Sequence, residues 1–177
     1  VPTPIYRNDA SLLNGNKQLA ATASGGVGMS LDMTYFQDAD GRSYYAWQQL
    51  GATYIAKMDP KDPAHVTSSP VRIVTPEYAW NAAIAEGPNV TLRDGKLYLM
   101  FSGSGVGKTY TTGLAVADAA GSDLTDPASW TALNYPIQKS GPFNGEMQLG
   151  TGHGMWSEDE DGNQVYVFHA YATKNLG

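Results

Sequence analysis

Apolar and polar residues alternate with a period of two along most of this chain. Tyr44, Ala46 and Gln48 oppose Tyr45, Trp47 and Gln49; Leu97, Leu99 and Phe101 oppose Tyr98 and Met100; Val165, Val167 and His169 oppose Tyr166, Phe168 and Ala170. That period predicts strands, because successive side chains of an extended backbone point to opposite faces. Further strands are expected at Thr53 to Met58, Val71 to Val74, Thr109 to Val116 and Trp130 to Leu133, between clusters of Gly, Pro, Asp and Ser that mark turns. Only Asp123 to Trp130 reads as a short helical turn, with Ser122 or Asp123 as its cap.

The strands come in a repeated order. Asp32, Glu86 and His153 each stand nine positions ahead of the glycine of an Asp-Gly turn, at Gly41, Gly95 and Gly162, and each turn leads into an aromatic, alternating strand. A strand-turn-strand unit at near-constant intervals is how radially arranged sheets are written in sequence. The turn glycines are 54 and 67 residues apart, room for about four strands each. The expected fold is therefore all-β, of the β-propeller kind, with about three blades: units at 30–84, 85–149 and 150–177, preceded by residues 1–29 as the end of an earlier blade or a linker. That first stretch contributes an Asn14-Gly15 turn and a flexible run from Gly25 to Gly28. Three blades do not close a ring, so the array is open or partial. The loops KMDPKDPAHVTSSP and GSDLTDPASW share Asp-Pro steps and read as outer-edge turns.

Composition narrows the function classes. With 177 residues, 42% of them apolar and 16% charged, the chain can bury a core. Its net charge of −6 and scattered Lys and Arg offer no surface for a phosphate backbone, so nucleic acid is not expected as a partner. There is no cysteine for a disulfide, a thiolate metal site or a nucleophile. No apolar stretch is long enough to span a membrane, and VPTPIYRND lacks signal-peptide character. The sequon at Asn89 falls inside an expected strand and reads as chance.

The candidate chemistry lies at the repeated positions. Residues at equal offsets in radial sheets face a shared funnel, where two carboxylates, Asp32 and Glu86, can hold different protonation states. Glycoside hydrolysis needs that division of labour: one acid protonates the leaving oxygen while another carboxylate activates water. The alternative is that both carboxylates satisfy backbone amides at strand ends. His153 lies in GTGHG, whose small neighbours allow close approach of a ligand or ion, or it is a hydrogen-bonded structural residue. His65 is expected in a solvated outer loop, and His169 buried or behind the site. GSGVGKT ends like a phosphate loop but lacks the first glycine, having Ser102 there, and precedes a strand rather than a helix. Trp47, Trp130 and Trp156 are core candidates; Trp80, in a loop six residues before Glu86, is the candidate for stacking on a sugar face.

Taken in order, LDMTYFQDADGRSYYAWQ, TYIAKMDP, PEYAWNAAIAEGP, GKLYLMFSGSG, LTDPASW and GTGHGMW resemble glycoside hydrolase family 43, and most closely its arabinofuranosidase-like branch. The resemblance runs from about Ser30 to Tyr171. It implies a five-bladed β-propeller and inverting hydrolysis of terminal arabinofuranosyl or xylosyl units of plant cell-wall polysaccharide by a secreted enzyme. It implies Glu86 as general acid, Asp32 as the aspartate that orients and tunes it, His153 as the histidine near the axis, and Trp80 and Ser104 as sugar contacts. No cofactor is required, although the resemblance admits a structural calcium at the axis, met by His153 through water.

Two positions depart from the pattern: Asn81 where relatives often have Glu, and Gly154 where they often have Asn. The general base of the family is an aspartate well before the position of Asp32, whereas only Asp9 precedes it here. The chain therefore looks like blades two to four, with the base in missing blades or a complementing chain. The alternative is a non-catalytic carbohydrate-binding propeller that lacks the base.

Overall fold

A computed structural model describes residues 30–172, so Asp9, the Asn14-Gly15 turn and the Gly25 to Gly28 run lie outside the described residues. Within them the chain forms three antiparallel sheets in sequence order. The first contains β1 (Ser30–Gln37), β2 (Ser43–Gln49), β3 (Ala52–Asp59) and β4 (Asp62–Val66), with β5 (Val71–Val74) also paired to β3. The second contains β6 (Ala85–Arg93), β7 (Lys96–Gly103), β8 (Thr111–Asp118) and β9 (Thr131–Ala132), and the third β10 (Gly141–Phe143), β11 (Glu146–Glu158) and β12 (Gln164–Ala172). The third sheet begins at Gly141 and β11 continues through residue 150, where a unit boundary was expected, with a shift of register between Leu149 and Gly152.

One sequence signature, Asp-Gly, closes two kinds of turn. Between β1 and β2 the turn spans Asp38 to Arg42, and the Asp38 carboxylate gathers the backbone N–H groups of Asp40 and Arg42, the Arg42 Nε at 2.6 Å and the Tyr44 phenol at 3.2 Å. Asp159 repeats this between β11 and β12, accepting from the Asp161 and Asn163 N–H groups at 3.0 and 2.8 Å. Between β6 and β7 the turn is only Asp94-Gly95, with φ of +49° and +75°, a tight hairpin whose twist matches its strands. Burial and the neighbouring Asp38 charge push the Tyr44 phenol up to about 12.

Two local expectations shift. The helical turn is a 3₁₀ turn at Pro127–Ser129 capped by Asp126, whose side chain accepts from the Ala128 N–H at 2.9 Å. Proline lacks an N–H and is preset for a first helical position, which moves the cap from Ser122 or Asp123 to the residue before it. His65 sits on the edge strand β4, not in a loop; it is exposed and meets Asp62 at 3.0 Å. Pro63 is tolerated there because an edge strand leaves one row of N–H positions unpaired.

β6 lies against β1, β2 and β3, and β11 lies against β6, β7 and β8, so the first long strand of each sheet follows the last. The first interface is apolar: Phe36, Tyr44, Ala46, Ile55 and Val74 meet Leu97, Leu99, Phe101, Ala115 and Leu124 in one cluster. The opposite face of the first sheet carries a second cluster of Tyr45, Trp47, Tyr54 and Met58. The second interface is more polar: the Trp156 N–H groups donate to Asn89 Oδ1 at 2.8 Å and the Tyr98 carbonyl at 3.2 Å, and Gln164 donates to Thr91 at 2.6 Å.

Because Leu99 is fully buried between the first two sheets, Leu99→Ala is expected to lower unfolding free energy by about 2–5 kcal/mol. Chemical denaturation of the complete protein measures it.

Candidate active site

The first long strand of each sheet, β1, β6 and β11, is interrupted by a β-bulge at one height. The ladder skips two residues of β1 between Leu31 and Thr34, two of β6 between Glu86 and Asn89, and two of β11 between Gly152 and Met155, each against a single partner residue. The first bulged residue is left-handed in all three: Asp32 at φ +59°, Gly87 at +58° and His153 at +47°. The structurally equivalent set is thus Asp32, Gly87 and His153, with Glu86 one position ahead of its bulge. The equal nine-residue offsets miss this by one because the β6–β7 turn is shorter than the other two. Left-handed backbone costs roughly 1–2 kcal/mol for a residue with a Cβ, so Asp32 and His153 hold strained positions that surrounding structure must enforce.

The bulges bring the three expected residues together. Asp32 Oδ2 accepts the Gly87 N–H at 3.1 Å, and Asp32 Oδ1 lies 3.8 Å from His153 Nε2. The His153 N–H donates to Ser102 Oγ at 2.7 Å. Glycine at 87 relieves backbone strain and leaves room, since a Cβ there would lie 3.3 Å from the His153 ring. The arrangement includes a residue the sequence did not single out. The Tyr110 hydroxyl donates to Glu86 Oε1 at 2.6 Å and lies 3.3 Å from His153 Nδ1. Burial, then the hydrogen bond to Glu86, pushes the Tyr110 phenol well above its usual range, so it stays protonated. Tyr110 sits just ahead of β8, where it reads as one more aromatic of an expected strand; nothing in its spacing signals Glu86.

Trp80 and Ser104 lie apart from this cluster. They share a depression of about 490 Å³ with Lys108, Thr109 and Lys139, which Asp32, Glu86 and His153 do not line. Trp80 is half-buried, its indole stacked between Tyr78 and Phe101 and its Nε1–H donating to the Asn134 carbonyl at 3.1 Å. Ser104 is buried at φ +69°, with its hydroxyl 3.0 Å from Thr109 Oγ1. The run after Ser104 enters β8, with no helix N-terminus for a phosphate. His169, expected to be buried or behind the site, is exposed, because β12 has no strand on its outer side among the described residues, and lies behind the site, stacked on the Tyr110 ring at 5.6 Å.

Both departures from the resemblance have local causes. Asn81 is buried and closes its loop, accepting the Tyr78 N–H on Oδ1 and the Ser104 N–H on its carbonyl. At Gly154 a Cβ would fall 2.1 Å from the Tyr166 ring. Asn89 turns its side chain to the third sheet, where Oδ1 meets the Trp156 N–H, which leaves the sequon poorly placed for a glycan. Calcium takes six to eight oxygen ligands. Among the described residues no three acidic or imidazole groups are placed so that they could hold one metal ion together, so these side chains alone do not fit that ion.

Residues 16–177 match the family described as Glycosyl hydrolases family 43. The chain is 33% identical over 159 residues to an extracellular exo-α-(1→5)-L-arabinofuranosidase of Streptomyces chartreusis, covering 83% of this chain and 46% of that protein. It is 32% identical to α-L-arabinofuranosidase 43 of Humicola insolens, over 79% of this chain and 30% of that one. Among solved structures, an α-L-arabinofuranosidase from Lactobacillus brevis superposes with a TM-score of 0.76 at 29% identity, over 88% of this chain and 49% of that one. A thermostable family-43 glycoside hydrolase superposes with a TM-score of 0.70 at 24% identity, over 84% and 51%. The fold is the β-propeller of these proteins, and the chain spans less than half the length of the curated relatives it matches.

Gly87→Ala is expected to cost at least about 1–2 kcal/mol from the left-handed backbone alone, visible as a lower unfolding midpoint of the complete protein.

Proposed function

The chain belongs to the family 43 glycosyl hydrolases, and from that premise we propose that it supplies the acid side of a secreted glycosidase that removes terminal arabinofuranosyl or xylosyl units from plant cell-wall polysaccharide. The observation that carries the reading is the convergence of Glu86, Asp32 and His153 where β1, β6 and β11 of the three sheets meet. Two of its relatives are named extracellular arabinofuranosidases, which supports both the substrate class and secretion.

In this reading Glu86 gives its proton to the glycosidic oxygen as the bond to the anomeric carbon breaks. A water attacks that carbon from the opposite face and loses its proton to a second carboxylate, so configuration inverts. Asp32 holds the backbone next to the acid through the Gly87 N–H and so orients Glu86. The base is provided by sequence outside residues 30–172. Trp80 and Ser104 contact sugar units in the neighbouring depression, and His153 bounds the reacting sugar. The reaction needs no cofactor, because carboxyl groups move both protons.

Glu86→Gln in the complete protein is expected to lower kcat on aryl arabinofuranosides or xylosides at least about a hundredfold, the usual contribution of a general acid. Undiminished turnover removes Glu86 from the mechanism, and oligosaccharide binding without any hydrolysis by the unmutated protein indicates a binding propeller instead. Trp80→Ala is expected to raise KM on oligosaccharides about five- to tenfold with little change in kcat, the size of a lost ring contact. Steady-state kinetics on short and long substrates separates the two parameters.

A further inference from the structure

Tyr110 has no part in the reaction as described above, yet it is the group that joins the others. Its ring is fully buried, so its hydroxyl is not shared with bulk water. A phenol has one proton to donate and two lone pairs to accept with. The proton is spent on Glu86 Oε1 at 2.6 Å, which leaves a lone pair of the phenol 3.3 Å from His153 Nδ1, an acceptor for the imidazole tautomer that carries its proton on that nitrogen. His153 Nε2 in turn faces Asp32 Oδ1 at 3.8 Å. A run of neighbouring side chains, Asp32, His153, Tyr110 and Glu86, thus spans the two carboxylates, hydrogen-bonded from Tyr110 to Glu86 and with His153 facing Asp32 across 3.8 Å.

We propose that Tyr110 is the positioning residue of this site: its phenol fixes which oxygen of Glu86 carries the transferable proton, and couples that carboxyl through His153 to Asp32. With Oε1 already accepting a hydrogen bond, a proton placed there would face the phenol proton, so protonation falls on Oε2. The free oxygen is then the one able to serve a leaving group. The ring cannot swing away to relax this preference. It stacks on His169 with planes 18° apart, and it lies so close to Gly152 that a Cβ there would be 2.4 Å from it. The proposal rests on Glu86 being the general acid.

The test uses the complete protein and two aryl glycosides of the sugar it hydrolyses. One carries a dinitrophenyl group, which departs without protonation; the other carries a methoxyphenyl group, which needs the acid. Tyr110→Phe is expected to lower kcat on the methoxyphenyl substrate about tenfold or more and to leave the dinitrophenyl substrate within about twofold. It is also expected to move the alkaline limb of the kcat profile to higher pH. A general acid works while protonated, activity falls as pH rises through its titration, and loss of a donor to the ionised carboxylate lets the proton persist to higher pH. Equal losses on both substrates with an unmoved limb would overturn the proposal.

Glu86→Gln run beside it separates the two ideas. If that variant shows no dependence on leaving group, the acid assignment fails and the role of Tyr110 falls with it. If Tyr110→Phe does not fold, His153→Asn and His153→Leu take its place. Asparagine keeps a donor near the Nδ1 position and is expected to retain more methoxyphenyl turnover than leucine, whereas identical profiles for the two would overturn the link.

Discussion

An extra residue at one height in the first long strand of each sheet, β1, β6 and β11, is the constraint on which the site depends. A regular strand would carry its side chains alternately to the two sheet interfaces and leave few groups turned toward neighbouring first strands. The bulge breaks that alternation, bends the strand and puts one residue in the left-handed region. In β6 that residue is Gly87, and its N–H reaches Asp32 while its missing side chain leaves space for the His153 ring. In β1 and β11 the same backbone position is given to Asp32 and His153, which hold it at a conformational cost.

The two interfaces between sheets do different work. The first, between the sheets of β1 and β6, is closed by large apolar side chains and supplies most of the packing. The second, between the sheets of β6 and β11, relies on hydrogen bonds and on a glycine that admits a ring. Gly152 receives Tyr110, the Tyr166 hydroxyl meets Thr112, and Asn89, Tyr98 and Thr91 meet Trp156 and Gln164. These polar groups reach inward because they have partners. That lets Tyr110 stand between Glu86 and His153 without an unpaired hydroxyl.

Much of the architecture is legible in the chain. Alternation of Tyr44 to Gln49 and of Leu97 to Phe101 marks β2 and β7, and both are the covered strands of their sheets. The recurrence of Asp-Gly ahead of such strands marks the hairpins. The same recurrence led to Asp32, Glu86 and His153 as positions that share one place, and their side chains do converge. It could not tell the two-residue turn at Asp94-Gly95 from the longer turns at Asp38 and Asp159, so it gave Glu86 a register that belongs to Gly87. The helix cap moved for a similar reason, since Pro127 fixed the start that Ser122 and Asp123 had been assigned.

By itself the sequence determined what depends on neighbours along the chain: strand period, turn residues, the repeat, and the motif residues that place the chain in its family. Tertiary structure alone decided what depends on residues brought together from different strands and sheets. Tyr110 reaches Glu86 across 24 positions and His153 across 43. Neither link leaves a trace in local periodicity: the first crosses the second sheet from the start of β8 to β6, and the second is made by the packing of β11 against β6 and β8. The separation of Trp80 and Ser104 from the carboxylates has the same origin: six positions along the chain do not fix a distance once the loop folds back over Gly103 and Gly113.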